Sequence, residues 1–268
     1  MIFELALAMV ALAVLGLSAR WNWWRSSAGG IPVLMYHKIG DPPAGSKLKK
    51  LWVSKKDFRR QMAYLLDHGH HPVTLAEIAR LLDGGKPVPT KAVVITFDDG
   101  YRNNLENALP ILKEFGFRAV LFVVTNAAGK DNFWHDPSNE TRIPMLSWDQ
   151  AKELQESGWE IGSHTVNHPR LSRLSPEEVR KELAESRDEI ERRVGKRPVT
   201  FANPYGDASD DPGVQEAVRA AGYRWAVSVH QGKADLQGNS YNLKRLFIRG
   251  DDTLLDFHLN MTRGRSRF

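Results

Sequence analysis

The sequence has no cysteine among its 268 residues. This absence excludes a disulfide framework, a thiolate metal ligand and a cysteine nucleophile, so histidine, aspartate and glutamate must carry any metal chemistry. The sequence also lacks a basic stripe with interleaved aromatic residues, which argues against nucleic-acid binding although the net charge is +5. The composition, 42% hydrophobic and 26% charged, is typical of a globular chain.

One long apolar run is present, at the N-terminus. Residues 2–19 are apolar apart from Glu4 and Ser18, which is about the shortest length that spans a bilayer as a helix. The run is followed by a cluster typical of a membrane interface, Arg20, Trp21, Trp23, Trp24 and Arg25. We therefore expect residues 1–20 to form a transmembrane anchor and residues 21–30 a linker. A cleaved signal segment is the alternative, although no Lys or Arg precedes the run.

The remaining chain, residues 31–268, alternates apolar runs with helical patterns, which is typical of repeated βα units. The seven predicted strands are residues 31–36, 92–97, 118–125, 159–163, 199–202, 224–229 and 243–249. Serines at positions 54, 147 and 175 are predicted to begin helices, and glycines at 69, 158 and 195 to end them. Seven such units favour an α/β fold, a distorted and incomplete (β/α)7 barrel, over an open sheet, although the pattern does not separate the two well.

Two adjacent carboxylates, Asp98 and Asp99, follow the second predicted strand. Neighbouring carboxylates repel each other and lose hydration unless a cation or a proton separates their roles. In a regular strand they would point to opposite faces, so their convergence requires a bend, which Gly100 permits. The alternative is that both residues simply cap the next helix.

Two histidines, His164 and His168, follow the fourth predicted strand. Their spacing suits a metal site, but Thr165 replaces the glutamate of the helical zinc-protease motif. Pro169 disfavours the α conformation at His168 and places the pair on a turn. The alternative is that both are ordinary polar loop residues. The position of both clusters at predicted strand ends argues against that alternative.

These two segments, Thr96–Gly100 and Ser163–Pro169, resemble the first two motifs of the polysaccharide deacetylase family (the NodB-homology group, carbohydrate esterase family 4). The order and spacing match over about residues 31–250. The resemblance implies a NodB-like barrel and a deacetylase activity on sugar polymers.

The same resemblance implies a role for each residue of the two clusters. Asp99, His164 and His168 would bind one divalent metal ion, and Asp98 would be the general base. Three protein ligands leave positions open for water and substrate, as a catalytic site requires. Zn²⁺ is the first expectation for this ligand set, which also suits Co²⁺, Ni²⁺ or Fe²⁺.

A third segment, Phe201–Gly206, resembles the family motif that usually reads Arg, two prolines, an aromatic residue and glycine. The backbone N–H of Tyr205 is implied as an oxyanion donor, with Asn203 and Pro204 as substrate-binding candidates. Ala202 stands where the family has its arginine, so the task of that arginine must be done otherwise or not at all.

The late Leu-x-His motif of the family is also missing, because residues 243–250 contain no histidine. Val33–His37 instead resembles the subgroup that deacetylates poly-β-1,6-N-acetylglucosamine, in which the acid-bearing motif is permuted to the N-terminus. His37 would then be the general acid; the alternative is an ordinary strand-end histidine. Trp134 and His135 are candidates for lining a sugar groove, since an aromatic face stacks on pyranose rings.

The expected activity is metal-dependent hydrolysis of N-acetyl groups on a hexosamine-containing polysaccharide, with release of acetate. An O-acetyl glycan esterase would use the same site, and a membrane-tethered glycan-binding protein without turnover would explain the lost arginine and late histidine. The expected partners are an N-acetylated polysaccharide and a membrane. A polymer substrate of this kind favours a catalytic domain outside the cytoplasm, whereas the positive-inside rule applied to Arg20 and Arg25 favours the opposite orientation.

Overall fold

The computed structural model describes residues 2–21, 27–138 and 140–266. Its strands are β1 (Val33–Tyr36), β2 (Lys38–Ile39), β3 (Trp52–Val53), β4 (His71–Pro72), β5 (Ala92–Phe97), β6 (Val120–Val123), β7 (Glu160–Ser163), β8 (Thr200–Ala202), β9 (Trp225–Gln231) and β10 (Leu243–Phe247). Its helices are α1 (Ile2–Trp21), α2 (Lys55–Asp67), α3 (Leu75–Asp83), α4 (Leu109–Glu114), α5 (Trp148–Glu156), α6 (Pro176–Val194), α7 (Pro212–Ala220) and α8 (Leu254–Arg263). The seven predicted strands correspond to β1 and β5 to β10, with ends that differ by about two residues at most.

Those seven strands form a closed ring. β1 pairs with β5 on one side and with β10 on the other, and β6, β7, β8 and β9 complete the ring in that order, all in parallel. The barrel is distorted: β7 and β8 share one paired position, Ser163 with Phe201, and the register of β10 against β9 shifts between Leu243 and Arg245. The predicted barrel, rather than an open sheet, is therefore confirmed.

Alternate residues of β5 (Ala92–Phe97) explain why its apolar run is unbroken. Val93 packs with Phe58 of α2 in the layer between strands and helices. Val94 packs with Phe122 in the cluster that fills the barrel. A strand of a parallel barrel is buried on both faces, so both sets of positions must be apolar.

The predicted helix starts are confirmed by their hydrogen bonds. The side chains of Ser54, Ser147 and Ser175 each accept from a backbone N–H in the first turn, and the last two form complete capping boxes. Gly195 ends α6 in the left-handed conformation at φ 74°, which glycine adopts without steric cost. Each cap stabilises its helix by about 1 kcal/mol.

The N-terminal helix α1 has exposed apolar side chains, including Ile2 and Phe3. Within residues 2–21, 27–138 and 140–266, no helix is both long enough and apolar enough to cross a membrane. Trp23, Trp24 and Arg25 of the predicted interfacial cluster lie outside the described residues.

Candidate active site

Four strands of the ring carry polar residues directly after their carboxyl ends. His37 follows β1, Asp98 and Asp99 follow β5, His164 and His168 follow β7, and Asn203, Pro204 and Tyr205 follow β8. Because the strands are parallel, all of these ends lie at the same rim of the barrel.

The chain turns sharply as it leaves β5. Asp99 has φ 76° and Gly100 has φ 89°, so the bend begins at Asp99 itself and not only at the glycine. A left-handed conformation is costly for a residue other than glycine and is concentrated at functional sites. The following helical turn, Asn104–Ala108, has Asn103 at its N-cap position and receives no capping hydrogen bond from a side chain. The alternative that Asp98 and Asp99 merely cap a helix is therefore wrong.

Asp99, His164 and His168 place three potential ligand atoms together. Asp99 Oδ1 lies 3.4 Å from His164 Nε2 and 3.3 Å from His168 Nε2, and the two Nε2 atoms are 3.2 Å apart. Ligand atoms about 2.1 Å from one tetrahedral zinc ion lie about 3.4 Å from each other. The three residues are buried and, within the described part of the chain, form the one group of His, Asp and Glu with this geometry. They fit a single divalent ion.

The tautomer of His164 also fits a metal ligand. Its Nδ1 lies 2.7 Å from the carbonyl oxygen of Ala202, and a carbonyl only accepts, so Nδ1 carries the proton. Nε2 is then the ring nitrogen available to bind a metal ion. Metal-binding histidines are usually fixed by such a second hydrogen bond.

The turn that carries His168 is held by left-handed residues and by α6. Thr165 has φ 68° and His168 φ 58°, which agrees with the predicted turn. The backbone N–H groups of Val166 and Asn167 donate to the Glu182 carboxylate at 2.7 and 3.0 Å. This clamp fixes the position of the second histidine.

Asp98 forms a buried, two-pronged ion pair with Arg245 of β10. Arg245 Nη1 donates to Oδ1 and Nη2 to Oδ2, each at 2.7 Å, and the arginine is 0% exposed. Its Nε also donates to the Ser228 carbonyl. The cation missing at Ala202 is therefore supplied from another strand, which the sequence analysis did not find.

The two carboxylates have different electrostatic partners. Burial raises the pKa of Asp98, but the charge and hydrogen bonds of Arg245 outweigh it and hold the pKa below its usual range. Burial likewise raises the pKa of Asp99, and its contacts with His164 and His168 hold it well below the usual range. Both groups are ionised at neutral pH, each for its own reason.

His37 lies beside Asp98 rather than in the metal cluster. Its Nε2 is 4.0 Å from Asp98 Oδ2, and its side chain is 16% exposed. Burial lowers the pKa of His37, while the nearby Asp98 and Asp99 oppose that shift. His37 is therefore close enough to the Asp98 carboxylate to exchange a proton with it after a small movement.

Tyr205 lies at the rim with its backbone strained. It has φ 59° inside the turn Pro204–Gly206, and its ring meets the His168 ring edge to face at 4.5 Å. The hydrogen bonds of the described residues do not use its N–H, whereas the next N–H, of Gly206, donates to Asn203. A free N–H beside a candidate metal site suits an oxyanion donor. Asn203 is buried, and Pro204 lies in the same turn as Tyr205.

Trp134 and His135 lie next to the candidate metal cluster. The Trp134 ring stacks on the His168 ring at 4.7 Å between centroids. His135 Nε2 lies 3.4 Å from the hydroxyl of Tyr101, a buried residue whose pKa is raised well above normal by burial and by Asp99. Tyr101 was not singled out from the sequence, although it follows the Asp98–Gly100 segment directly.

Comparison with known proteins identifies relatives of the chain. The profile of the polysaccharide deacetylase family matches residues 85–226, more than half of the chain. The Bacillus subtilis polysaccharide deacetylase homologue YxkH is 30% identical over 218 residues, which cover 81% of this chain and 71% of that protein. The poly-β-1,6-N-acetyl-D-glucosamine N-deacetylase of Staphylococcus aureus is 29% identical over 217 residues, covering 78% and 71%.

Solved structures agree with these matches. A polysaccharide deacetylase from Bacillus cereus superposes with a TM-score of 0.70 at 27% identity, covering 87% of this chain and 69% of that one. The Streptococcus pyogenes deacetylase PplD superposes with a TM-score of 0.74 at 24% identity, covering 88% and 100%, which supports the fold alone. His37 and Arg245 lie outside the residues that the family profile matches, so their place in the site rests on the geometry.

Proposed function

The chain belongs to the polysaccharide deacetylase family, and we propose that it is a metal-dependent hydrolase that removes N-acetyl groups from a poly-N-acetylglucosamine-like polymer and releases acetate. The observation that carries this proposal is that the two adjacent carboxylates, Asp98 and Asp99, have different partners. Asp99 joins His164 and His168 around a point suited to a metal ion, while the neighbouring Asp98 is not part of that cluster and pairs with Arg245. The similarity to the Staphylococcus aureus enzyme supports a β-1,6-linked substrate.

Asp99, His164 and His168 would hold the ion, with Zn²⁺ as the first candidate. When bound, such an ion polarises a carbonyl group and lowers the pKa of a water molecule. Asp98 accepts the proton of the attacking water at its carboxylate, and the Tyr205 N–H donates to the oxygen that becomes negative in the transition state. His37, starting as the doubly protonated imidazolium, then donates the proton of its Nε2 to the amide nitrogen, because an amide anion is a very poor leaving group.

The short distance between His37 and Asp98 allows both groups to return to their starting protonation states after the reaction. After the C–N bond breaks, Asp98 carries one extra proton and His37 lacks one. The 4.0 Å between Asp98 Oδ2 and His37 Nε2 is short enough for that proton to return after a small side-chain movement. The two groups then regain their starting states.

Acetate release from defined substrates tests the proposal. We expect the full chain to release acetate from β-1,6-linked N-acetylglucosamine oligomers and to leave an O-acetylated xylan oligomer largely intact. His164→Ala should lose both bound metal and activity, because it removes one of three ligands. Acetate from the O-acetylated substrate alone would favour the glycan esterase alternative, and specific oligomer binding without acetate release would favour a binding protein.

We also propose that α1 attaches the protein to a membrane, with the catalytic barrel outside the cytoplasm. The exposed apolar side chains of residues 2–17 support attachment, since such a surface is unfavourable in water. Recovery of the full chain from cells in the soluble fraction, without detergent, would contradict this.

A further inference from the structure

A second concave site lies beside the candidate active site. It encloses about 630 Å³, and we call it the Arg102 pocket after one of its lining residues. Its walls include three cations, Arg102, Lys130 and Arg142, together with Asp131 and the ring of Phe133. A pocket of this size accommodates a small-molecule group or a sugar unit.

One pair of aromatic rings connects the lining of the pocket to the candidate metal site. Phe133, which lines the pocket, meets Trp134 edge to face at 5.5 Å, and Trp134 stacks on the metal-ligand candidate His168. On the other wall, Asn126 donates to Asn167, the neighbour of His168, at 2.9 Å. The lining of the pocket is thus linked to the candidate metal site by direct side-chain contacts, so a neighbouring unit of a bound polymer is the group that we expect in the pocket.

The three cations that line the pocket differ in whether a nearby negative charge compensates them. Arg142 Nη1 lies 3.4 Å from Asp131 Oδ1, so that pair is close to neutral. Lys130 Nζ donates to the uncharged Asn126 side chain at 2.7 Å. The Arg102 guanidinium, on a half-buried residue, has no hydrogen bond or ion pair with any residue that the structure describes. Arg102 and Lys130, two of the cations that line the pocket, thus have no ion-pair partner among the residues that the structure describes.

We propose that the Arg102 pocket is a charge-selective subsite, which favours a glycan unit bearing a carboxylate or phosphate and disfavours a unit whose amine has already been freed. The proposal deepens the proposed function and rests on it. Guanidinium groups bind carboxylate and phosphate with two parallel hydrogen bonds, and the ring of Phe133 offers a face for the sugar. A freed amine is an ammonium ion at neutral pH and is repelled by the same two charges.

This subsite gives the enzyme a preference for position along the polymer. Each deacetylation creates a cationic unit that binds less well in the pocket. The deacetylation of a directly adjacent unit is therefore slowed. Deacetylated units are then spaced rather than contiguous. A polymer carrying acidic substituents is deacetylated preferentially beside those substituents.

Rates on three matched oligomers test the subsite. The substrates are a neutral N-acetylglucosamine hexamer, the same hexamer with some units oxidised at C6 to carboxylates, and a partly deacetylated hexamer. For the full chain we expect kcat/KM to fall in the order carboxylated, neutral, deacetylated. Arg102→Gln should reduce the carboxylated-to-neutral ratio about three- to tenfold at low salt, the size of one charge at the protein surface, and added salt should shrink the effect.

Arg80→Gln is the matched control, since it removes one exposed arginine from α3 and should leave the ratio unchanged. Equal ratios for the full chain and Arg102→Gln, or an equal shift in Arg80→Gln, would overturn the subsite. If the full chain releases no acetate from any hexamer, the proposed function fails. Calorimetric binding of the carboxylated hexamer to the full chain and to Arg102→Gln then still decides the subsite, since equal affinities would overturn it.

Discussion

Arg245 is a residue of the candidate site that the sequence analysis did not find. No local pattern marks it, because it lies in a short strand, Leu243–Phe247, between an exposed lysine and a buried leucine. Its role follows from long-range pairing, which brings β10 next to β1 and the neighbouring β5. The one available signal was indirect: the loss of the motif arginine at Ala202 leaves the buried Asp98 in need of a cation from elsewhere.

We predict that Arg245→Gln moves the acidic limb of the pH profile of kcat/KM to higher pH. Arg245 lowers the pKa of Asp98 against the opposing effect of burial, so its removal lets burial raise that pKa. A base with a raised pKa becomes protonated, and inactive, at a higher pH. Arg245→Lys keeps the charge and should shift the limb less. An unchanged acidic limb in a folded Arg245→Gln protein would show that Asp98 is not the base.

His37 carries a second prediction at the same scale. Replacing it with alanine should reduce turnover by about 10²- to 10⁴-fold, the usual contribution of a general acid, and should leave bound metal unchanged because Nε2 lies outside the ligand cluster. The basic limb of the kcat profile, which reports loss of the acid's proton, should flatten. Full activity of His37→Ala would place the acid elsewhere, and loss of metal would make His37 a ligand.

At the scale of elements, a buried ion pair joins the two segments that frame the rim. Lys38 of β2 is 0% exposed and its Nζ lies 3.8 Å from Glu140 Oε2. The same carboxylate accepts from Ser46 Oγ at 3.1 Å and from the Leu48 N–H at 3.3 Å. Glu140 belongs to the segment that carries Trp134, so the pair ties that segment to the one that follows β2.

Urea unfolding of a double-mutant cycle tests this tie. We expect Lys38→Met to reduce the free energy of unfolding by about 3–5 kcal/mol, because it leaves a charge buried without its partner. Adding Glu140→Gln should restore part of that loss, so the two changes are not additive. KM should rise in both variants as the wall that carries Trp134 loosens. Additive losses, or a KM equal to that of the parent, would contradict the account.

Elements and site were predictable from the sequence to different degrees. The strands and three helix starts followed from unbroken apolar runs and from serine caps, which are local signals. The left-handed backbone at Asp99 was not predicted, because a bend was expected only at the glycine beside it. The Lys38–Glu140 pair was also missed, since two charged residues about 100 positions apart give no pattern in the sequence.

At the scale of the whole molecule, the closed ring of parallel strands explains why scattered residues meet. Each strand is short and mostly apolar, and apart from Arg245 within β10 the site residues lie in the first few positions after a carboxyl end. The ring closes through β1, which places His37, from the beginning of the domain, beside Asp98 and Arg245. The permuted position of His37 in the sequence therefore has little effect on its position in space.

Titration of metal into the metal-free protein tests the central claim most directly. After removal of metal with a chelator, acetate release from an N-acetylglucosamine oligomer should be lost and should return linearly with added Zn²⁺ up to one equivalent per chain. Asp98→Asn should bind the same single equivalent without regaining activity, since the base is not a ligand. Full acetate release from the metal-free protein, or activity that saturates only at two equivalents, would contradict the account.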